Sequence, residues 1–321
     1  MRITHYNLIY IALIFAILCI FSFLRLHFQT NNYFDYAIYN NLIFNSIDQN
    51  YWMLFFGHFQ PLIIFFSLIL NLYESNFIAN LIIIFLKNLI IILPLLFLYK
   101  KKFILVYALS LSFIIWYNSL NAFHIDILIF PLSFIYFISI QNKKFNLSII
   151  ILLFFCFVKE IYILIAIIYS IMLFKKINLY KLIILNIIFL IFFIFLYFYL
   201  IPQFTFFNID NIHEKNTYRV DIYDWIYNFN DFNFDLKIKF YLKKIILILS
   251  VLFFYYFSFF KTDKKYLLIT TLILAIFILS QNTNHSSIYS HYLIPLCAPM
   301  YFAFYEYYNN AIIKKKNSNK F

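Results

Sequence analysis

Four short groups of polar residues stand out in a chain that is otherwise strongly apolar. They are FDY at 34–36, GHFQP at 57–61, FHID at 123–126 and VKE at 158–160. Between them they supply carboxylates, imidazoles and an ammonium group, which are the groups that move protons and bind phosphate or hydroxyl oxygens. The second group also contains Gly57, the single glycine of the 321 residues. Whether these residues can act together depends on the elements that hold them.

The composition indicates that those elements are membrane helices. Hydrophobic residues make up 65% of the chain and charged residues 12%, whereas a soluble domain is about half apolar and a quarter charged. Mean hydropathy is +0.85. Apolar runs long enough to cross ~30 Å of hydrocarbon recur along the sequence. We therefore predict an all-α, polytopic integral membrane protein.

The net charge of +12 comes largely from short lysine clusters between the apolar runs. Cytoplasmic loops of membrane proteins carry this excess of Lys and Arg, so the clusters mark the cytoplasmic side and do not indicate a nucleic-acid partner. They are KKK at 100–102, KK at 143–144, KK at 175–176, KK at 264–265 and KKK at 314–316.

Placing these clusters inside predicts about ten transmembrane helices in the cell membrane, with both termini cytoplasmic. The first run, 6–24, is predicted to be a retained helix and not a cleaved signal peptide, because no small-residue cleavage site follows it. The chain is predicted to be one domain, 1–321, with outer segments at 28–75 and 202–241. The other predicted spans are 77–99, 103–117, 124–140, two short helices within 145–174, 182–201, 242–260, 266–280 and 291–309.

Two segments do not fit a simple span. Residues 59–72 form a run of 14 that would be about 21 Å long as a helix, so we predict that it lies along or dips into the outer leaflet after a turn at Gly57 and Pro61. Residues 145–174 carry lysine pairs at both ends, so this segment must turn back, and the turn is predicted at Lys159 and Glu160. Of the 13 acidic residues, only Asp263 and Glu306 fall on the predicted cytoplasmic side. The polar chemistry therefore gathers on the extracytoplasmic face.

Each outer carboxylate and imidazole also has a structural interpretation. Asp35 is placed to cap the helix that follows it, and His58 to anchor a turn at the headgroups. Asp126 is placed in the first turn of a helix, where the dipole stabilises it. A metal site of His58, His124 and Asp126 has suitable ligands, but a spacing of two puts His124 and Asp126 on different faces of a regular helix. No metal site is assigned, and the cofactor stays open.

The buried ionisable residues favour function more strongly. Lys159 and Glu160 could form a structural ion pair, yet ionisable groups below a membrane surface are costly and are by default functional. Lys87 lies at a similar depth. It either pairs with Glu160, binds a phosphate or is satisfied by neighbouring carbonyl groups.

The ordered groups FDYAIYNN, GHFQP, FHIDI and FVKE, followed by HYLIPLCAPM near residue 291, resemble the family called domain of unknown function 2079. The usual forms there are roughly FDLGIFDQ, DHFSP, FHP, VKED and HY-x-x-P. The family is grouped with the GT-C integral-membrane glycosyltransferases, which use lipid-phosphate sugar donors and an acid in the first outer loop. Two departures are Gly57 in place of an acid and Asn40 and Asn41 in place of the acid or glutamine after FDLGIF.

The resemblance implies a GT-C-like fold and a glycosyltransferase that moves a sugar from a polyprenyl-phosphate donor to an unknown acceptor on the extracytoplasmic face. Asp35 is then the base, with Asp126 next in line. Lys159 is the phosphate partner, with Arg219 as a second cation. Residues assigned to substrate binding are His58, Lys87, His124, Lys159, Glu160 and Arg219. Partners are membrane lipid and the lipid-linked donor.

Two other functions stay open. A flippase or transporter for a lipid-linked sugar would need polar groups across the bilayer, whereas Lys87 is the single charge predicted near the midplane. A non-catalytic membrane subunit would explain the acid missing at Gly57.

Overall fold

A computed structural model of the chain describes residues 2–28, 59–70, 76–120, 124–200, 258–279 and 293–318, with scattered residues between 242 and 249. All regular elements in these ranges are helices, which confirms the all-α class. The predicted outer segments lie largely outside them, as do Asp35, His58 and Arg219. The described chain divides into two compact units, Met1–Lys215 and Asn216–Phe321. A single domain over 1–321 stays a prediction.

The first unit contains nine described α-helices. They are α1 (Arg2–Phe28), α2 (Ile63–Leu70), α3 (Asn76–Phe97), α4 (Phe103–Ser110), α5 (Phe113–Leu120), α6 (Ile129–Gln141), α7 (Phe145–Val158), α8 (Ile161–Tyr169) and α9 (Leu179–Phe195). A 3-10 turn, Ile125–Leu128, precedes α6, another, Ser170–Leu173, follows α8, and a π-helical turn, Leu196–Leu200, extends α9.

Three described stretches are long and apolar enough to cross a membrane: His5–Arg25, Ile78–Phe97 and Leu179–Leu200. A helix of about 20 residues covers the ~30 Å of hydrocarbon. Large apolar side chains such as Ile17, Phe85 and Ile191 stay exposed on these helices, as expected for surfaces that meet lipid tails. The all-helical architecture and these stretches are consistent with a membrane protein.

The segment predicted as one span at 103–117 is instead broken in two. Helix α4 ends at Ser110 and α5 begins at Phe113, so the helical chain continues to Leu120 through residues predicted as a loop. The Trp116 indole N–H donates to the carbonyl of Ser110 at 2.8 Å. That bond gives a donor to a backbone carbonyl at the break. In lipid, a helix break is tolerated where other groups of the protein form hydrogen bonds with the freed backbone groups. The hydropathy of the sequence does not indicate this break.

The predicted break at Lys159 and Glu160 is confirmed, since α7 ends at Val158 and α8 begins at Ile161. The hydroxyls of Ser139 and Ser148 bond across the α6–α7 turn, so these two helices are antiparallel. At the far end of α8, the Tyr169 ring packs against Phe137 and Phe155, with centroids 5.2 and 5.5 Å apart. Helix α8 therefore runs back beside α7 towards the end at which α6 finishes.

Helix α2 has eight residues, about 12 Å in length. This described part is shorter than the ~30 Å of hydrocarbon, and the placement of residues 59–72 at the outer leaflet stays a prediction. Its entry is tied to the end of α7, because the backbone N–H of Leu62 donates to the carbonyl of Phe157 at 3.3 Å. The short segment is thus attached to the α7–α8 break.

A buried polar cluster joins three helices of the first unit. The Asn88 amide of α3 donates to Ser22 Oγ of α1 at 3.0 Å, and Ser119 Oγ of α5 donates to Asn88 Oδ1 at 2.6 Å. Ser22 Oγ in turn donates to the Ser119 carbonyl at 2.7 Å. All three residues are buried. The cluster fixes the mutual positions of α1, α3 and α5.

The second unit contains α10 (Lys264–Leu279) and α11 (Ile294–Ser318), which pack against each other. They coincide with two of the predicted spans, 266–280 and 291–309. Lys261, in a 3-10 turn before α10, lies over the Tyr307 ring of α11, with Nζ 5.5 Å from the centroid.

Replacing Asn88 by leucine should destabilise the first unit, because Ser22 and Ser119 lose their shared partner. Interhelical hydrogen bonds in membranes contribute about 0.6 kcal/mol each and at most about 1.7, so the loss of two should lower the free energy of unfolding by about 1–2 kcal/mol. The measurement is SDS-induced unfolding in mixed micelles, followed by circular dichroism. Leu81→Ala, at an exposed position on the same helix, is the control. An Asn88→Leu protein as stable as that control would contradict the role of the cluster.

Candidate functional site

The centre of the candidate site is the turn between α7 and α8, residues 159–162, which we call the tip turn. Lys159 is extended (φ −167°, ψ 150°), and Glu160 enters α8 with helical angles. The extended backbone of Lys159 ends α7, and α8 begins two residues later at Ile161. Lys159 and Glu160 are nonetheless buried, with 3% and 0% of their surfaces exposed. Burial of this kind requires polar partners, since an uncompensated buried charge is strongly unfavourable.

One partner of the tip turn is the backbone of the GHFQP group. The N–H of Phe59 donates to Glu160 Oε2 at 2.9 Å, which gives this buried carboxyl group a hydrogen-bond partner. Together with the bond from Leu62 to Phe157, it holds the entry to α2 against the tip turn. Two of the four groups found in the sequence therefore meet. Glu160 acts in this contact as an acceptor for the protein's own backbone.

The tip turn also meets the FHID group. Tyr162, in the first turn of α8, donates its hydroxyl to Asp126 Oδ1 at 2.6 Å. Asp126 is the second residue of the turn Ile125–Leu128, the helix-start position predicted for it. Both Tyr162 and Asp126 are fully buried. The Tyr162 hydroxyl is the hydrogen-bond donor that the buried Asp126 carboxyl group requires.

His124 lies beside Asp126, contrary to the expectation that a spacing of two would separate them. That expectation assumed a regular helix. His124 is instead extended (φ −127°, ψ 138°) and precedes the 3-10 turn, so both side chains point to one side. His124 Nδ1 lies 3.9 Å from Asp126 Oδ2. The imidazole is the outer member of the pair, with 11% of its side chain exposed against 0% for Asp126.

Lys87 on α3 donates to the backbone carbonyl of Ser119, the last but one residue of α5. Of the interpretations open from the sequence, this contact is the one in which a neighbouring carbonyl satisfies the ammonium. The contact also places the Lys87 amino group at the C-terminal end of α5, where backbone carbonyl groups lack helical partners. Helix α3, which carries Lys87, also contacts the turn Ile125–Leu128.

Sequence reasoning missed Tyr162. It is one of 29 tyrosines, so its residue type carries no information, and its bond to Asp126 joins residues 36 apart in the chain. Its position two residues after Glu160, one helical turn from Lys159, was the available signal. Asp35, His58 and Arg219 lie outside the described residues, and their roles stay predictions.

The arrangement can bind an anion and orient a hydrogen-bonding group. The tip turn carries a buried lysine, a glutamate that holds the α2 entry and a tyrosine that holds the Asp126 carboxylate, which faces His124. Within the part of the chain that the structure describes, no three His, Cys, Asp or Glu side chains converge as a metal site would need. Comparison of the chain with models of protein families, with curated proteins and with solved structures gives no match.

Proposed function

We propose that the protein is a membrane glycosyltransferase of GT-C type. It transfers a sugar from a polyprenyl-phosphate donor to an acceptor on the extracytoplasmic face. The observation that supports this function best is the tip turn: it carries a buried lysine, Lys159, and a tyrosine that donates a hydrogen bond to Asp126, the neighbour of His124 on a second segment. A phosphate-bearing, hydroxyl-rich lipid is the ligand that such a set fits.

The proposed reaction requires a cation and a base. The acceptor hydroxyl attacks the anomeric carbon while the carbon–oxygen bond to the donor phosphate breaks. The bonding pair leaves with the lipid phosphate, and the ammonium of Lys159 offsets its growing negative charge. The acceptor's proton passes to a carboxylate. Arg219 is the proposed second cation, and His58 and His124 contact the sugar.

We propose Asp35 as that carboxylate. The resemblance implies it, and the burial of the other candidate supports it. Asp126 is fully buried and accepts a bond from Tyr162, so it is shielded from an acceptor in the outer space. Asp126 is better suited to support a neighbour than to remove a proton itself.

The finer topology belongs to the same proposal. We propose about ten spans in the cell membrane, with both termini cytoplasmic and the segment 59–72 in the outer leaflet. The eight-residue length of α2 supports the last point.

A cysteine at Ser75, in a chain whose Cys19, Cys156 and Cys297 are replaced by alanine, tests this topology. We expect an impermeant maleimide to label it in intact cells, because 28–75 is proposed to lie outside. A cysteine at Lys101 should react only after the membrane is permeabilised. The reverse pattern at the two positions would overturn the topology.

Deletion of the gene should remove one sugar from a cell-envelope glycan and cause its polyprenyl-phosphate sugar to accumulate, as measured by mass spectrometry of extracted lipids and glycans. A plasmid copy should restore the sugar. A Lys159→Met copy should not, because the leaving phosphate loses its cation. Lys181→Met, at an exposed position on α9, is the control and should restore it. An unchanged glycan and lipid profile in the deletion strain would reject the enzyme and favour a non-catalytic subunit.

Asp35→Asn keeps the shape of the side chain and removes the base. Proton transfer contributes about 10²–10⁴-fold, so kcat should fall by that factor, equivalent to about 3–5 kcal/mol of transition-state stabilisation. Donor binding should persist. The measurement is sugar transfer by purified protein, with Asp48→Asn in the same outer segment as the control. If Asp35→Asn turns over at the wild-type rate, another residue is the base.

A further inference from the structure

We propose that Tyr162 and Asp126 are positioning residues for His124, and that His124 Nε2 accepts a hydrogen bond from a hydroxyl of the donor sugar. The inference rests on the proposed function and assigns to this group the selection of the sugar.

The exposed surface of the three residues shows which of them a ligand can reach. Tyr162 and Asp126 have no exposed surface, whereas the His124 side chain is 11% exposed. His124 is therefore the member of the three that a ligand can contact, and the other two residues act through it. The same burial excludes a direct contact between Asp126 and the sugar.

Hydrogen bonding by Tyr162 orients the Asp126 carboxylate next to the His124 ring. Tyr162 donates to Asp126 Oδ1 at 2.6 Å, and the second carboxylate oxygen, Oδ2, lies 3.9 Å from His124 Nδ1. Contacts of this kind are often long without substrate and shorten when it binds. An imidazole whose Nδ1–H faces a carboxylate presents Nε2 as an acceptor in its neutral form. A sugar hydroxyl supplies the matching donor.

The tip turn links this contact to the phosphate site. The N–H of Tyr162 donates to the carbonyl of Lys159 at 3.0 Å, so the lysine and the tyrosine belong to one hydrogen-bonded turn. In the donor, the sugar is bonded directly to the phosphate. A protein that recognises both the sugar and the phosphate must hold its sugar-binding and phosphate-binding residues at a fixed separation. A single hydrogen-bonded turn holds Lys159 and Tyr162 at such a separation.

The test is the selectivity of the purified full chain among undecaprenyl-phosphate-linked glucose, galactose, mannose and N-acetylglucosamine. We expect the wild type to prefer one sugar. His124→Ala should lower the ratio of kcat/KM between that sugar and the next by about tenfold, the scale of one lost hydrogen bond in a polar site. Tyr162→Phe should lower the same ratio by about threefold to tenfold. The double variant should match His124→Ala, because Tyr162 acts through the imidazole.

Tyr136→Phe is the matched control. Tyr136 is equally buried, and its hydroxyl donates to the carbonyl of Tyr169 at the same 2.6 Å. Removing that hydroxyl costs the fold a comparable bond away from the site. Lost stability reduces the amount of active protein and lowers all rates together, so Tyr136→Phe should leave the ratio unchanged. Should Tyr162→Phe not elute as a folded species, Asp126→Asn takes its place with the same expected loss.

The outcomes separate the inference from the function beneath it. If the wild type transfers none of these sugars, the proposed function fails and the inference fails with it. If the wild type selects one sugar and Tyr162→Phe keeps the full ratio, the inference alone is wrong. A wild type that is active but does not discriminate also overturns the inference.

Discussion

The first unit depends on one constraint: ionisable side chains that are buried among apolar helices must find polar partners inside the protein. Glu160 meets it through the backbone of Phe59, and Asp126 through the hydroxyl of Tyr162. These bonds start from the same turn and reach two different segments of the chain. The turn therefore fixes the entry to α2 and the start of α6 relative to each other. Without those partners, the burial of two carboxylates would cost several kcal/mol.

The same constraint explains the packing behind the site. Asn88, Ser22 and Ser119 exchange hydrogen bonds where α1, α3 and α5 meet, and Lys87 binds the backbone near the C-terminal end of α5. Apolar side chains alone give little specificity to helix packing in lipid, because lipid tails are as apolar as the side chains. A few buried polar residues supply the register. Helix α3, which carries two of them, also contacts the turn with Asp126.

Sequence reasoning succeeded where the physics is a matter of length and charge. Hydropathy placed α3, α9 and α10 to within a few residues, and the lysine pairs at 143–144 and 175–176 predicted the break before Ile161. It failed where the deciding interaction is a single distant contact. The break at Leu111 is accompanied by an indole–carbonyl bond from Trp116 to Ser110, and the bond from Tyr162 to Asp126 joins residues 36 apart in the chain. The proximity of His124 and Asp126 follows from one extended residue before a 3-10 turn, and residue types do not predict that local geometry.

The departure at Gly57 can be judged in the same terms. The resemblance leads one to expect an acid beside His58, and its loss raises the question of whether the segment keeps its place. The contacts that attach this segment to the tip turn are made by the backbone N–H groups of Phe59 and Leu62, and a change of side chain at position 57 removes neither donor. Attachment is therefore independent of the missing acid. What the acid could have supplied is chemistry. Asp126 and Glu160 are enclosed and bonded to the protein, which is why the proposed reaction assigns proton transfer to Asp35, in a segment proposed to lie outside the membrane.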